Sequence, residues 1–104
     1  MSGLRLLGET EFRIGEIYAY TCDRWGEDQA ERYYHGLLDT FEAVAARELA
    51  WRPIPGEFGV DGYFCRYQRH RIYWRVLDNG DVGIVTVLHE RMHHAALLRE
   101  AFDD

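Results

Sequence analysis

The sequence predicts an α+β domain in which an N-terminal helical hairpin packs on a small antiparallel β-sheet, with a short C-terminal helix or tail. Two observations carry this. The first half has two apolar stripes at helical spacing, joined at Trp25-Gly26. The second half has aromatic and β-branched runs on either side of Asn79-Gly80, the dipeptide of a tight hairpin. At 104 residues, the length fits one domain over residues 1–104.

Leu4, Leu6 and Leu7 alternate loosely and predict a short first strand that breaks at Gly8. From about Glu11 to Asp23, Ile14, Ile17, Tyr18 and Trp25 share one helical face. Gly26 ends that helix, and Glu27 and Asp28 favour the start of a second by facing its dipole. Its stripe runs through Ala30, Tyr33, Tyr34, Leu37, Leu38, Phe41, Val44, Ala45 and Leu49. Residues 50–61 hold Pro53, Pro55, Gly56 and Gly59 and predict a loop, with Trp51 and Phe58 as lids on the core. Strands are expected at Tyr63–Tyr67, Ile72–Leu77 and Val82–Leu88, the last central because it is almost wholly apolar. His94–Phe102 completes the order as a short helix.

Composition narrows the function. At 47% apolar and 14% aromatic, the chain has the material for a core. Two cysteines, Cys22 and Cys65, suit a reducing cytoplasm and small apolar roles. No apolar run approaches the roughly 18 residues that span a bilayer, so a cytoplasmic protein without membrane contact is expected. All twelve basic residues are arginine, and the net charge is −6. The whole of that charge sits in residues 1–61; residues 62–104 balance to zero and contain Arg66, Arg69, Arg71 and Arg75 with no acid among them. Alternation predicts Arg69, Arg71 and Arg75 on one sheet face with Tyr73 between them. Such a concentration of charge favours a binding partner. A helix buries a face about 100° wide, so Tyr20 and one of Tyr33 and Tyr34 should project outward.

His89-Glu90-Arg91-Met92-His93 matches H-E-x-x-H. In a zinc hydrolase both histidines share one helical face and the glutamate activates metal-bound water. Here the segment begins where a β-branched run ends, and little chain follows to supply a third ligand. The expectation is therefore no metal and no cofactor: His89 at a strand end, Met92 packed inward, His93 and His94 solvated.

Arg24-Trp25-Gly26-Glu27-Asp28-Gln29-Ala30-Glu31-Arg32-Tyr33 resembles the hairpin of ParE toxins, in the RelE/ParE superfamily. Phe58–Phe64, Ile72–Arg75 and Ile84–Met92 agree with that family in order and spacing. The resemblance implies a type II toxin bound by a ParD-like antitoxin in a hetero-oligomer, with DNA contacted only through the antitoxin. It also implies inhibition of DNA gyrase by binding, without catalysis. Gly8 departs from the Ser or Thr that similar toxins carry as helix cap. Within the superfamily, the competing activity is ribosome-dependent mRNA cleavage. That needs a base, an acid and cations, which Arg66, Arg75, His89, Arg91 and His93 could supply, but the absence of lysine weakens it. Expected antitoxin contacts are Tyr18, Tyr20, Tyr34, Arg69, Arg71, Tyr73 and Arg75, since exposed aromatics suit capture of an amphipathic segment. Expected target contacts are His89, Arg91, Met92 and His93, on a separate surface within His89–Phe102.

Overall fold

The computed structural model describes residues 3–103. Strand β1 (Leu4–Leu6) turns through Gly8 into helix α1 (Thr10–Trp25). The buried Thr10 hydroxyl donates to the Ile84 carbonyl at 2.7 Å and pins the helix start to the sheet. The residue in the cap position is Glu9, not Gly8, and it makes no capping bond. Its carboxylate instead accepts from Arg13 at 2.8 Å and from the Thr86 hydroxyl at 2.7 Å.

Gly26 adopts φ 94, ψ 166, a region essentially closed to residues with a Cβ. That single conformation ends α1 and begins α2 (Glu27–Ala45), giving the expected hairpin. The second helix stops short of Leu49 because Arg47 takes a left-handed φ of 61. Its amide donates to Val44 and that of Glu48 to Ala43, closing the helix end in a Schellman pattern. The strain is offset by the Arg47 guanidinium, 3.7 Å above the Trp51 ring. Trp51 in turn donates to the Val44 carbonyl and packs edge-on against Trp74.

Within the predicted loop lie a two-residue strand β2 (Arg52–Pro53) and a 3-10 turn at Gly56–Phe58. Proline is tolerated there because β2 is an edge strand. Then come β3 (Tyr63–Tyr67), β4 (His70–Val76), β5 (Val82–His89) and helix α3 (His94–Phe102). The sheet order is β1-β5-β4-β3-β2. The expected antiparallel meander is present, and β1 extends it by pairing parallel to β5.

Each sheet face has its own core. Ile14, Leu37, Phe41 and Val44 of the hairpin pack on Ile72, Trp74, Val82, Ile84 and Val87. On the other face, Leu98 of α3 packs with Ile54, Tyr73 and Leu88. A bulge in β5 governs which residue faces which core. Tyr73 pairs with Thr86 but Trp74 pairs with Ile84, leaving Val85 as an extra residue. The inward set on the hairpin side thus changes from Val82 and Ile84 to Val87, and Leu88 turns to the α3 side. His89, opposite His70, comes to the hairpin side with it.

Three burial expectations are corrected. Trp25 is 68% exposed, because it sits in the last turn beyond the reach of the sheet, and Met92 is 38% exposed. His94 is buried, since its ring is the first residue of α3 to meet the sheet.

Candidate functional site

Two adjoining clefts, of about 450 and 460 Å³, share Tyr20, His70 and His89 and form one groove on the hairpin side. One wall is α1, contributing Arg13, Ile17 and Tyr20. The other is the end of β5 with the turn beyond it, contributing Val87, Arg91 and Met92. Trp25, Tyr33 and Arg69 flank the far end. Tyr33 is held by an edge-on contact with Tyr67, whose hydroxyl lies so close to Gly36 that a Cβ there would collide with it.

The floor of the groove is a pair of imidazoles, His70 and His89, edge to face with centroids 5.1 Å apart. The hydrogen bond to His89 assigns its tautomer. The Arg91 amide donates to His89 Nδ1 at 3.1 Å, so the proton of the neutral ring is on Nε2. The Tyr33 hydroxyl lies 2.6 Å from His70 Nδ1. With the Tyr33 proton donated to Nδ1, His70 keeps its own proton on Nε2; the reverse direction would place it on Nδ1. Burial and the neighbouring His89 hold His70 well below the usual imidazole range, at about 4, although Glu90 opposes this. Burial likewise pushes the Tyr33 hydroxyl up to about 12, so both groups of the pair are neutral at pH 7.

Charge around the groove is mostly compensated. Glu90 is gripped by Arg66 at 2.8 Å and Arg69 at 3.3 Å, and Arg13 bridges Glu9 and Glu16. The Arg91 guanidinium makes no hydrogen bond or ion pair among the described residues.

This arrangement accounts for the H-E-x-x-H segment without a metal. His89 closes β5, Glu90 is taken up by arginines, and His93 is exposed ahead of α3, so the two histidines share no helical face. The His89 ring accepts an amide proton, and its carbonyl accepts from the Met92 amide at 3.0 Å and from His94 Nε2 at 2.8 Å. The segment is a hydrogen-bonded turn. Among the described residues, no three His, Cys, Asp or Glu side chains converge to hold a metal ion.

The predicted residues divide differently from expectation. Tyr20 and Arg69, expected on one surface, and His89, Arg91 and Met92, expected on another, border a single groove. Arg69 does not share a face with Arg71 and Arg75, because it lies in the β3–β4 turn before the strand begins. Tyr73 is a correction: at 1% exposure, with its hydroxyl 2.6 Å from His94 Nδ1, it belongs to the core under α3 and has no surface to offer. Arg71 lies on that same face, 5.8 Å over Phe64, and Arg75 lines a separate cleft with Arg99 and Phe102. Tyr18 and Tyr34 sit on the opposite flank of α1, edge to face at 6.1 Å, with the Tyr18 hydroxyl donating to Glu31. That hydrogen bond pushes the Tyr18 hydroxyl up to about 12. Neither Tyr33 nor Tyr34 projects freely; both are half-buried. Trp25, Tyr33 and Arg13 were not expected at a site. The last two carry no local signal, since only the tertiary fold brings them to the groove.

The model of the family described as ParE toxin of the type II toxin–antitoxin system parDE matches residues 11–94. The chain is 34% identical over 84 residues to Toxin ParE1 of Mycobacterium tuberculosis, covering 76% of this chain and 80% of that one. It is 32% identical over 99 residues to Toxin ParE1 of Caulobacter vibrioides, covering 94% and 99%. A structure titled "Chromosomal ParDE TA system from P. aeruginosa" superposes with a TM-score of 0.68 at 16% identity, over 86% of this chain and 96% of that chain, a likeness of fold.

Proposed function

This chain belongs to the ParE toxin family of type II toxin–antitoxin systems, and from that premise we propose how it acts. It is a toxin that works by binding. A ParD-like antitoxin neutralises it by laying an amphipathic segment along the groove between α1 and the end of β5. Its target is DNA gyrase, as the family resemblance implies.

The groove is the observation that carries this reading. It places Tyr20, at 58% exposure, beside Met92 and Arg91, which is unpaired among the described residues, between apolar walls of Ile17 and Val87, with Trp25, at 68% exposure, at the far end. Exposed aromatics around an apolar trough with a charge at one end suit a helix bearing an apolar stripe. Competition for this groove would let the antitoxin mask target contacts directly, because the expected antitoxin and target residues meet there.

The experiment adds purified protein to gyrase supercoiling and to ribosome-bound mRNA in parallel. The expected result is trapped, cleaved DNA and inhibited supercoiling, relieved by antitoxin. Cuts in the ribosome-bound mRNA would replace this reading with an endoribonuclease. Point variants such as Arg91→Ala are the appropriate probes of the tail. Removing residues 89–102 would also remove Leu98 and uncover the α3-side core.

A further inference from the structure

We propose that His70 and His89 form a paired-donor site that binds one carboxylate, supplied by an aspartate or glutamate on the antitoxin segment lying in the groove. The inference rests on the groove being the seat of the antitoxin.

A neutral imidazole has one donor and one acceptor. In His89 the acceptor, Nδ1, takes the Arg91 amide; we assign His70 the same tautomer, with its Nδ1 accepting from the Tyr33 hydroxyl 2.6 Å away. Both Nε2–H donors are left over. Neither makes a hydrogen bond among the described residues, and neither is among the fully buried polar atoms lacking a partner, so both reach solvent. The rings are 5.1 Å apart and line both clefts. Two adjacent donors, neither hydrogen-bonded among the described residues, call for an acceptor group from outside.

The surroundings select a carboxylate. From the β5 side, Glu90 is shared by Arg66 and Arg69, and from α1, Arg13 is shared by Glu9 and Glu16, so the two clusters offset each other in charge. The remaining charge at that end of the groove is Arg91, which favours an anion. The apolar walls, Ile17 and Val87, exclude part of the water that would screen the pair. The ligand is therefore a small anion borne on an apolar scaffold, as on a helix carrying an acidic residue beside its apolar stripe. Docking a carboxylate on His70 would favour its protonated form and reverse the effect of burial, so binding would draw a proton and tighten toward mildly acidic pH.

The test uses the toxin labelled with 15N-histidine, free and in its co-purified complex with the antitoxin, alongside affinity measurements on variants. In the free protein at pH 7, His70 and His89 should both be Nε2–H tautomers. On complex formation, both Nε2 signals should move and the His70 titration should shift upward. His70→Phe and His89→Phe should each weaken the complex about tenfold, while His70→Gln, which keeps a donor near the Nε2 position, should stay within about threefold. If Tyr20 and Met92 respond to antitoxin but the histidine signals and the Phe variants do not, the carboxylate site is overturned and the groove reading survives. If Tyr20 and Met92 do not respond, the groove reading fails and the carboxylate site with it. An Nδ1–H tautomer in the free protein would overturn the site on its own, without any variant.

Discussion

Two tyrosine–histidine pairs sit on opposite faces of the same sheet, and they show how one chemical unit serves two purposes. On the hairpin side, Tyr33 and His70 meet at 2.6 Å; on the α3 side, Tyr73 and His94 also meet at 2.6 Å. The difference lies in the second ring nitrogen. His94 Nε2 donates to the His89 carbonyl, so that ring is satisfied on both sides and buried beneath α3. Among the described residues His70 Nε2 has no such partner, and the ring opens on the groove. The same pair is thus a structural clamp where the fold closes over it and a recognition element where the fold leaves a cleft. The sealed face should govern stability, and the open face should govern binding.

The largest effect that can break this comparison is on the sealed face. Leu98 is fully buried against Tyr73 and Leu88. Leu98→Ala should cost about 2–5 kcal/mol, read as a shift in the denaturation midpoint, because it leaves a cavity as well as losing buried surface. A loss below about 1 kcal/mol would show that α3 is not part of the core.

Acid should act next. Burial holds His70 near 4, against an ordinary value of 6.5, and it holds His94 down as well. The unfolded chain therefore takes up protons first as pH falls. The stability these rings confer is fully present above about pH 6.5 and declines as pH drops toward 4. His70 is partly open to solvent, so screening holds its share below the roughly 3 kcal/mol that the full shift would carry. Urea unfolding at a series of pH values should show this decline, and His70→Gln should flatten it. An unchanged profile in that variant would mean His70 is not the titrating group.

The hydroxyl deletions compare the two pairs directly. Tyr73→Phe strands the buried His94 Nδ1 and should cost about 1–3 kcal/mol, whereas Tyr33→Phe, at the edge of a wet groove, should cost about 0.5–1.5 kcal/mol. Equal costs, measured by thermal unfolding, would dissolve the distinction between clamp and recognition element. The smallest stability effects belong to the groove rim. Arg91→Ala and Met92→Ala should stay within about 0.5 kcal/mol of the parent in unfolding, yet weaken antitoxin binding.

How much of this was legible in the sequence depends on the range over which each feature is determined. The hairpin, the Asn-Gly turn and α3 follow from periodicity and turn chemistry within a few residues, and they fall where those signals place them. Arg47 could not be foreseen as a helix terminator, because its left-handed conformation depends on Trp51 beneath it. The bulge at Val85 has no local signature among uniformly apolar neighbours, yet it decides that His89 faces the groove with His70 and that Leu88 faces α3. Strict alternation likewise grouped Arg69 with Arg71 and Arg75, because sequence does not show where β4 begins. The exposed aromatic character of Tyr20 was legible from the width of a buried helical face. Its meeting with His70, His89 and Met92 was not, since α1, β4 and the turn after β5 converge only through the fold.

Hydroxyl-radical footprinting of the toxin with and without antitoxin tests the central claim most directly. Tyr20, Trp25 and Met92 border the groove, while Phe12, at 65% exposure, lines neither cleft and serves as an internal reference. Antitoxin should protect Tyr20, Trp25 and Met92 from oxidation while Phe12, and Phe102 on the α3 side, oxidise as in the free protein. Protection of Phe102 with Tyr20 and Met92 still fully reactive would place the interface on the opposite face and contradict the claim.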